Sequence, residues 1–296
     1  MSSKHPIIAV TGSSGSGTST VSRSFEWIFR REKITPAMIE GDAFHRYNRD
    51  EMLQLIDQAE RAGQRGPSHF GIEANHLDKL ETLFREYGRA GHGEHRHYLH
   101  DEVDALHWAQ PAGTFTPWES LAENTDVLYY EGLHGGVVTN EIDIARHVDL
   151  LIGVVPIINL EWIQKLHRDI KVRGYSMEAV QDTMLRRMDD YVHVIVPQFS
   201  RTHINFQRVP VVDTSNPFIA REVPTADETL VVIRFRDPRG TDFPYLLNMI
   251  SGSWMSRANT LVAPGGKLDL AMQIVLTPLV WKLMEKRQKA LAKGGD

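Results

Sequence analysis

The 296-residue sequence predicts an α/β fold: one mixed, mainly parallel sheet flanked by helices. Three observations carry this. Short apolar runs alternate with helical patterns from Ile7 onward, and a Gly/Ser-rich turn separates the first run from the first helical pattern. Residues 126–130 and 150–155 are almost wholly apolar, as strands buried on both faces must be.

In chain order, residues 7–11 read as a strand, 18–31 as a helix and 37–39 as a second strand. Apolar positions recurring at three and four (Met52, Leu55, Ile56, Ala59; Leu77, Leu80, Leu83, Phe84) predict helices over 50–63 and 76–88. Residues 89–125, rich in Gly, His and Pro and without periodicity, predict a long surface excursion carrying at most a hairpin. Strands over 126–130, 150–155, 211–213 and 230–235 complete the sheet. The pattern Leu270, Met272, Ile274, Val275, Leu279 predicts a packing helix over 268–291. No Pro/Gly/Ser-rich linker or repeat divides the chain, so a single domain over 1–296 is expected.

With 33 basic and 38 acidic residues the formal charge is -5, and no overall positive field draws the chain to nucleic acid or an anionic membrane. Cysteine is absent, which excludes disulfides and thiolate metal ligands. The N-terminus lacks a secretory pattern and no stretch approaches the ~18 apolar residues of a membrane span. A cytoplasmic location is the expectation.

The turn after the first strand reads Gly12, Ser13, Ser14, Gly15, Ser16, Gly17, Thr18, Ser19, Thr20. Between a strand and a helix, such a loop can cradle phosphate oxygens with backbone N–H groups and the helix N-terminus. It fits the P-loop pattern at both glycines and at Ser19, a candidate Mg²⁺ ligand, but Thr18 replaces the usual lysine. A Ser/Gly turn capped by Thr18 or Ser19 is the competing reading. If the loop binds ATP, the missing cation must come from elsewhere.

Two carboxylates stand at strand ends. Asp42 follows the second strand in EGDAFHRYNR and can accept the proton of an attacking hydroxyl, with His45, Arg46 and Arg49 nearby for an acidic substrate. Its alternative role is a helix cap. Glu131 ends the strand DVLYYE, where a carboxylate can hold Mg²⁺ or its water; an ordinary strand exit competes. In NLEWIQKLHRDIKVRGY, a helix over 159–174 closed by Gly174 places Lys165, Asp169 and Arg173 on one face. A solvated salt-bridge ladder is the plain reading. A lid helix supplying Lys165, Arg168 and Arg173 to the phosphates answers the loop's missing lysine.

The phrases GSSGSGTST, EGDAFHRYNR, YYEGLHGGVV, PIINLEWIQKLHRD, FQRVPVVDTSNPF and DPRG followed by DFPYL resemble the bacterial, octameric type of phosphoribulokinase from about Pro6 to Lys282. That resemblance implies a P-loop kinase passing the γ-phosphate of MgATP to the 1-hydroxyl of ribulose 5-phosphate for carbon fixation. It implies Asp42 as base, Asp169 as a second essential acid, and Lys165 and Arg168 as partners of the phosphoryl group. Ser19 and Glu131 would lie by the metal, with His45, Arg49 and Arg173 on the sugar phosphate; a basic rim beside that pocket, including Arg96 and His100, is read from the residues of the excursion themselves. The resemblance also implies a homo-oligomer, activated by NADH and inhibited by AMP. Arg186 and Arg187 match an effector-response pair, with Arg221, Arg234 and Arg257 as possible partners; surface arginines are the plain alternative.

His92, His95, His97, His100 and His107 lack regular ligand spacing and Cys partners, so no zinc site is expected. A kinase for a nucleoside or another small acceptor is the nearest competing enzyme. A nucleotide-sensing protein is the other competitor, but it has no need of both Asp42 and Asp169, and no N-K-x-D guanine signature is present.

Overall fold

The structure is a computed structural model describing residues 4–13, 18–171, 174–220 and 222–293, without the side chain of Ser19. Strand β1 (Ile7–Thr11) is fully buried, and its pleat splits the interior in two. Ile8 and Val10 enter one core, Ile7 and Ala9 the other. Such two-sided burial explains an apolar run without alternation.

The first helix, α1 (Thr18–Glu32), lays Val21, Phe25, Ile28 and Phe29 against the first core. Burying a side chain such as Phe25 contributes about 1.5–3 kcal/mol. Strand β2 (Pro36–Glu40) runs into a tight turn, Gly41–Phe44. Helix α2 (Arg49–Arg61) then begins at a capping box: Glu51 N–H donates to Asn48 Oδ1 and Asn48 N–H to Glu51 Oε2, both 2.9 Å. Helix α3 (Leu77–Ala90) buries Leu77, Leu80, Leu83, Phe84 and Tyr87 in the second core and stops at left-handed Gly91.

The excursion that follows is more ordered than its composition suggests. Strand β3 (Glu94–His95), helix α4 (Glu102–Trp108) and strand β4 (Glu119–Ser120) form a ribbon in which β3 pairs antiparallel with β4. Helix α4 is capped by Asp101, whose side chain accepts from Val103 and Asp104 N–H.

Strands β5 (Val127–Gly132) and β6 (Leu150–Val155) flank β1. Helix α5 (Ile158–Lys171) occupies the region expected for the charged helix. Beyond it, Gly174 adopts φ +74° and its N–H donates to Ile170 O at 3.2 Å. Helix α6 (Met177–Arg186) and the single turn α7 (Met188–Asp190) lead through irregular helical turns to β7 (Ile204–Pro210) and β8 (Thr229–Phe235). Helix α8 (Phe243–Met249), β9 (Trp254–Arg257), β10 (Thr260–Pro264) and α9 (Leu268–Ala292) follow.

Among the described residues one eight-stranded sheet has the order β2-β5-β1-β6-β7-β8-β10-β9, parallel through β7 and antiparallel beyond it. One expected strand is corrected. The strand lies at Ile204–Pro210, whose Ile204 and Phe206 enter the core, while Val211 and Val212 are exposed at 59% and 40%. Two adjacent valines carry β-propensity but no period-2 pattern, and the pattern belongs to the preceding residues.

Candidate active site

Parallel strands place their C-terminal ends on one edge of the sheet, where Thr11, Glu40 and Glu131 converge. Gly12 N–H donates to Gly132 O at 3.2 Å, so the phosphate-loop entry leans on the β5 exit. Ser13 is fully buried. Ser14, Gly15, Ser16 and Gly17 lie outside the described residues, as does the side chain of Ser19. Thr18 reaches Glu131, and Thr20 Oγ1 accepts from Arg23 at 3.4 Å. Beside the start of α1 a shallow cavity opens, lined by Thr20, Val155, Pro156, Glu161, Gln207 and Arg208.

Asp42 and Glu131 owe their proximity to two glycines. A Cβ on Gly41 would stand 2.8 Å from Gly132 Cα and 2.6 Å from the Tyr130 hydroxyl. The reciprocal Cβ on Gly132 would lie 2.6 Å from Gly41 Cα. Burial pushes the Glu131 carboxyl up; the Thr18 contact lowers it, while the Asp42 and Glu40 charges raise it further. Hard carboxylate oxygens whose joint ionisation is opposed in this way form a donor set that fits Mg²⁺.

Asp42 is half-exposed, and two imidazoles face it. His45 Nε2 lies 3.5 Å from Oδ1 and His100 Nε2 lies 3.8 Å from Oδ2. Arg49 donates from Nη2 to His100 O at 2.9 Å and from its backbone N–H to Gly113 O at 2.9 Å, tying α2 to the excursion. Arg96 donates to Ala43 O (2.7 Å) and His45 O (2.6 Å), gripping the turn that carries Asp42.

Behind Asp42 lie two histidines the sequence did not single out, His69 and His134. His45 stacks on His69 with centroids 3.9 Å apart, and His134 Nε2 lies 3.1 Å from Phe70 O. Burial pulls His45 and His69 far below the usual imidazole range and His134 down to about 4. Folded, all three stay neutral at pH values where the unfolded chain takes up protons near 6.5. Stability is therefore fully present above about 6.5 and is lost as pH falls. His134 alone accounts for about 2 kcal/mol at pH 5. We expect urea midpoints to fall steadily from pH 7.5 to 5, and less so for His134→Gln; a flat profile in the wild type excludes this account.

On α5, Asp169 is buried and is held by Lys165 Nζ on Oδ2 and by Arg168 Nε on Oδ1 at 3.0 Å. Burial pushes the Asp169 carboxyl up, but its hydrogen bonds to Lys165 and Arg168 and their charges outweigh that and hold it low. Glu161, one turn earlier than Lys165, is buried with Oε2 unpartnered; burial pushes it up to about 7, opposed by its contact with Ser13. Arg173 lies outside the described residues.

Arg187 lies within electrostatic range of both Asp42 and Asp169. Burial pulls its guanidinium down to about 10, while the charges of Asp169 and Asp42 act in the opposite sense. Its Cζ lies 5.2 Å over the Phe70 ring. Arg187 thus faces the candidate active site, whereas its neighbour Arg186 pairs with Glu60 and Asp182 at 3.2 and 2.8 Å. Arg234 and Arg257 are exposed on β8 and β9, both opposite Thr260, toward the far edge of the sheet from β2. Arg221 lies outside the described residues. Sequence reasoning missed Glu161, His69 and His134, and gave Arg187 a different setting. For Glu161 the i,i+4 spacing to Lys165 was a usable signal.

A parallel sheet opening on a Gly/Ser loop, with acidic strand ends beside it and a basic helix after the fourth parallel strand in chain order, defines a P-loop kinase fold. The model of the Phosphoribulokinase / Uridine kinase family matches residues 7–215, and the chain belongs to that family. It is 62% identical over 290 residues to the chromosomal phosphoribulokinase of Cupriavidus necator, covering 98% of this chain and 99% of that protein. Phosphoribulokinase 1 of Cereibacter sphaeroides is 61% identical, covering 98% and 100% of the respective chains. The solved phosphoribulokinase from Rhodobacter spheroides superposes with a TM-score of 0.90 at 59% identity, covering 97% of this chain and all of that one. The chain is a kinase, and among the described residues no helix is long and apolar enough to cross a membrane.

Proposed function

We propose that the chain transfers the γ-phosphate of MgATP to the 1-hydroxyl of D-ribulose 5-phosphate. The observation that carries this reading is Arg187, which lies within electrostatic reach of Asp42 at the end of β2 and Asp169 on α5. A candidate base and a cation-bearing helix thereby lie within electrostatic reach of one guanidinium. The names and near-complete coverage of the relatives support ribulose 5-phosphate as the acceptor.

Bound MgATP supplies the electrophilic phosphorus and a divalent charge to offset the phosphate oxygens. Gly12, Ser13, Ser14, Gly15, Ser16, Gly17, Thr18, Ser19 and Thr20 would hold the nucleotide, with Ser19 and Glu131 by the metal. Asp42 takes the proton of the acceptor hydroxyl as that oxygen bonds the γ-phosphorus and the bond from phosphorus to the bridging oxygen of ADP breaks. Lys165 and Arg168, kept in place by Asp169, offset the charge that a loop lysine would meet. In this reading α5 acts as a lid, and His45, His100, Arg49 and Arg173 bind the sugar phosphate.

A coupled ADP-release assay across ribulose 5-phosphate, nucleosides and other sugar phosphates tests the assignment. Faster turnover of a nucleoside would replace it with the uridine-kinase side of the family. Arg49→Ala should raise the KM for ribulose 5-phosphate roughly tenfold, the loss of one charge-assisted contact. An unchanged KM would leave Arg49 as a link between α2 and the excursion only.

Assembly as an octamer, activation by NADH and inhibition by AMP extend the proposal. The exposed Arg234 and Arg257 suit anionic effectors, with Arg186 and Arg221 as further candidates. Arg187 is better explained by the cleft it faces.

A further inference from the structure

The ribbon of the excursion brings Glu119 to two histidines, His95 and His97, from which it is remote in sequence. His95 and Glu119 are direct cross-strand partners in the β3–β4 pair. His97, two residues on, projects to the same side, as strand periodicity requires. His95 Nε2 lies 3.7 Å and His97 Nε2 3.6 Å from the same oxygen, Glu119 Oε1. Both separations exceed hydrogen-bond reach, so neither ring is fastened to the carboxylate. One ligand atom from each of the three residues lies within 4.8 Å of the others.

Ligands about 2.0–2.2 Å from a tetrahedral zinc ion stand about 3.3 Å apart. The observed separations leave room for an ion after a small inward movement. Burial and the neighbouring His97 hold His95 below the usual imidazole range, in the neutral form that ligates. The His97 ring packs near Trp108 at 5.3 Å, limiting its directions. Two imidazoles and a carboxylate favour a borderline divalent transition metal over Mg²⁺. We propose that His95, His97 and Glu119 form a binding site for a Zn²⁺-class transition metal, with an open position for water, separate from the Mg²⁺ expected at the phosphates.

Such a site would clip β3 to β4 at a consequential place. Arg96, between the two histidines, holds the carbonyls of Ala43 and His45 and stacks over Phe115 at 3.7 Å. The metal would stiffen the ribbon that presents Arg96 to the Asp42 turn. The expected absence of a zinc site rested on spacing among histidines, and Glu119 is more than twenty residues away.

The test uses the full chain, stripped with a chelator and held in saturating Mg²⁺, titrated with Co²⁺ and then Zn²⁺. We expect one Co²⁺ per chain with the intense visible absorption of a low-coordinate site, displaced by Zn²⁺, and a higher Tm with Zn²⁺. The half-exposed positions allow His97→Gln and Glu119→Gln without burying a new polar group, and each should weaken binding roughly tenfold or more. His92→Gln, in the same excursion but outside the triad, should bind as the wild type does. Absence of binding in the wild type, or equal affinity in wild type, H97Q and E119Q, overturns the proposal.

Discussion

Asp42→Asn is expected to lower kcat by about a thousandfold, within the 10²–10⁴ range for a general base, while the KM for ATP stays near its original value. Asparagine keeps the shape and hydrogen-bonding capacity of the side chain but cannot take up a proton. The position is half-exposed, and the turn is fastened independently by Arg96 through the carbonyls of Ala43 and His45. The fold therefore survives, and the loss is chemical. His45, buried and neutral, and His100, half-exposed, both sit near the carboxylate. Turnover within threefold of normal would assign the base to His100 or to water.

Lys165→Met should depress kcat by about a hundredfold or more, on the scale of one lost donor to a developing oxyanion, and change the KM for ATP much less. A side effect complicates the reading. Removing Lys165 leaves buried Asp169 with one fewer partner, and breaking a buried ion pair costs about 3–5 kcal/mol. The double variant K165M/D169N removes the stranded charge, so it should regain much of the lost stability and none of the activity. Recovery of turnover along with Tm would show that Lys165 serves structure alone. A variant that loses only ATP affinity would move Lys165 from the transferring group to ground-state binding.

Much of this site was legible because its pieces are local. The Gly/Ser loop sits between an apolar strand and a helix, Asp42 and Glu131 end apolar runs, and Lys165 and Asp169 share a helix face at four-residue spacing. What escaped depends on pairing across distance. The strand at Ile204–Pro210 is set by β6 and β8, and the adjacent valines at 211–212 drew attention away from it. Helix α4 has one buried residue, Ala105, so no apolar stripe betrays it. Arg186 and Arg187 look alike in LRRM; Arg187 lies over the Phe70 ring, while Arg186 pairs with the exposed Glu60 and Asp182. His134 sits in a recognised phrase, yet its neutrality comes from burial, which sequence does not show.

The contact between Gly41 and Gly132 divides the pocket into a fixed and an interchangeable part. Where two main chains meet with no space for a methyl group, the gap between the Asp42 turn and the Glu131 strand end is set by Cα positions. Rotamer changes cannot widen it. The groups reaching in from α2 and the excursion, Arg49 and His100, stand on separate segments that Arg49 ties together through His100 O and Gly113 O. If Arg49 and His100 meet the acceptor as proposed, a kinase with altered acceptor choice is best sought by exchanging the excursion and the start of α2, with both glycines retained as the gauge that keeps the Asp42 turn and the Glu131 strand end in step.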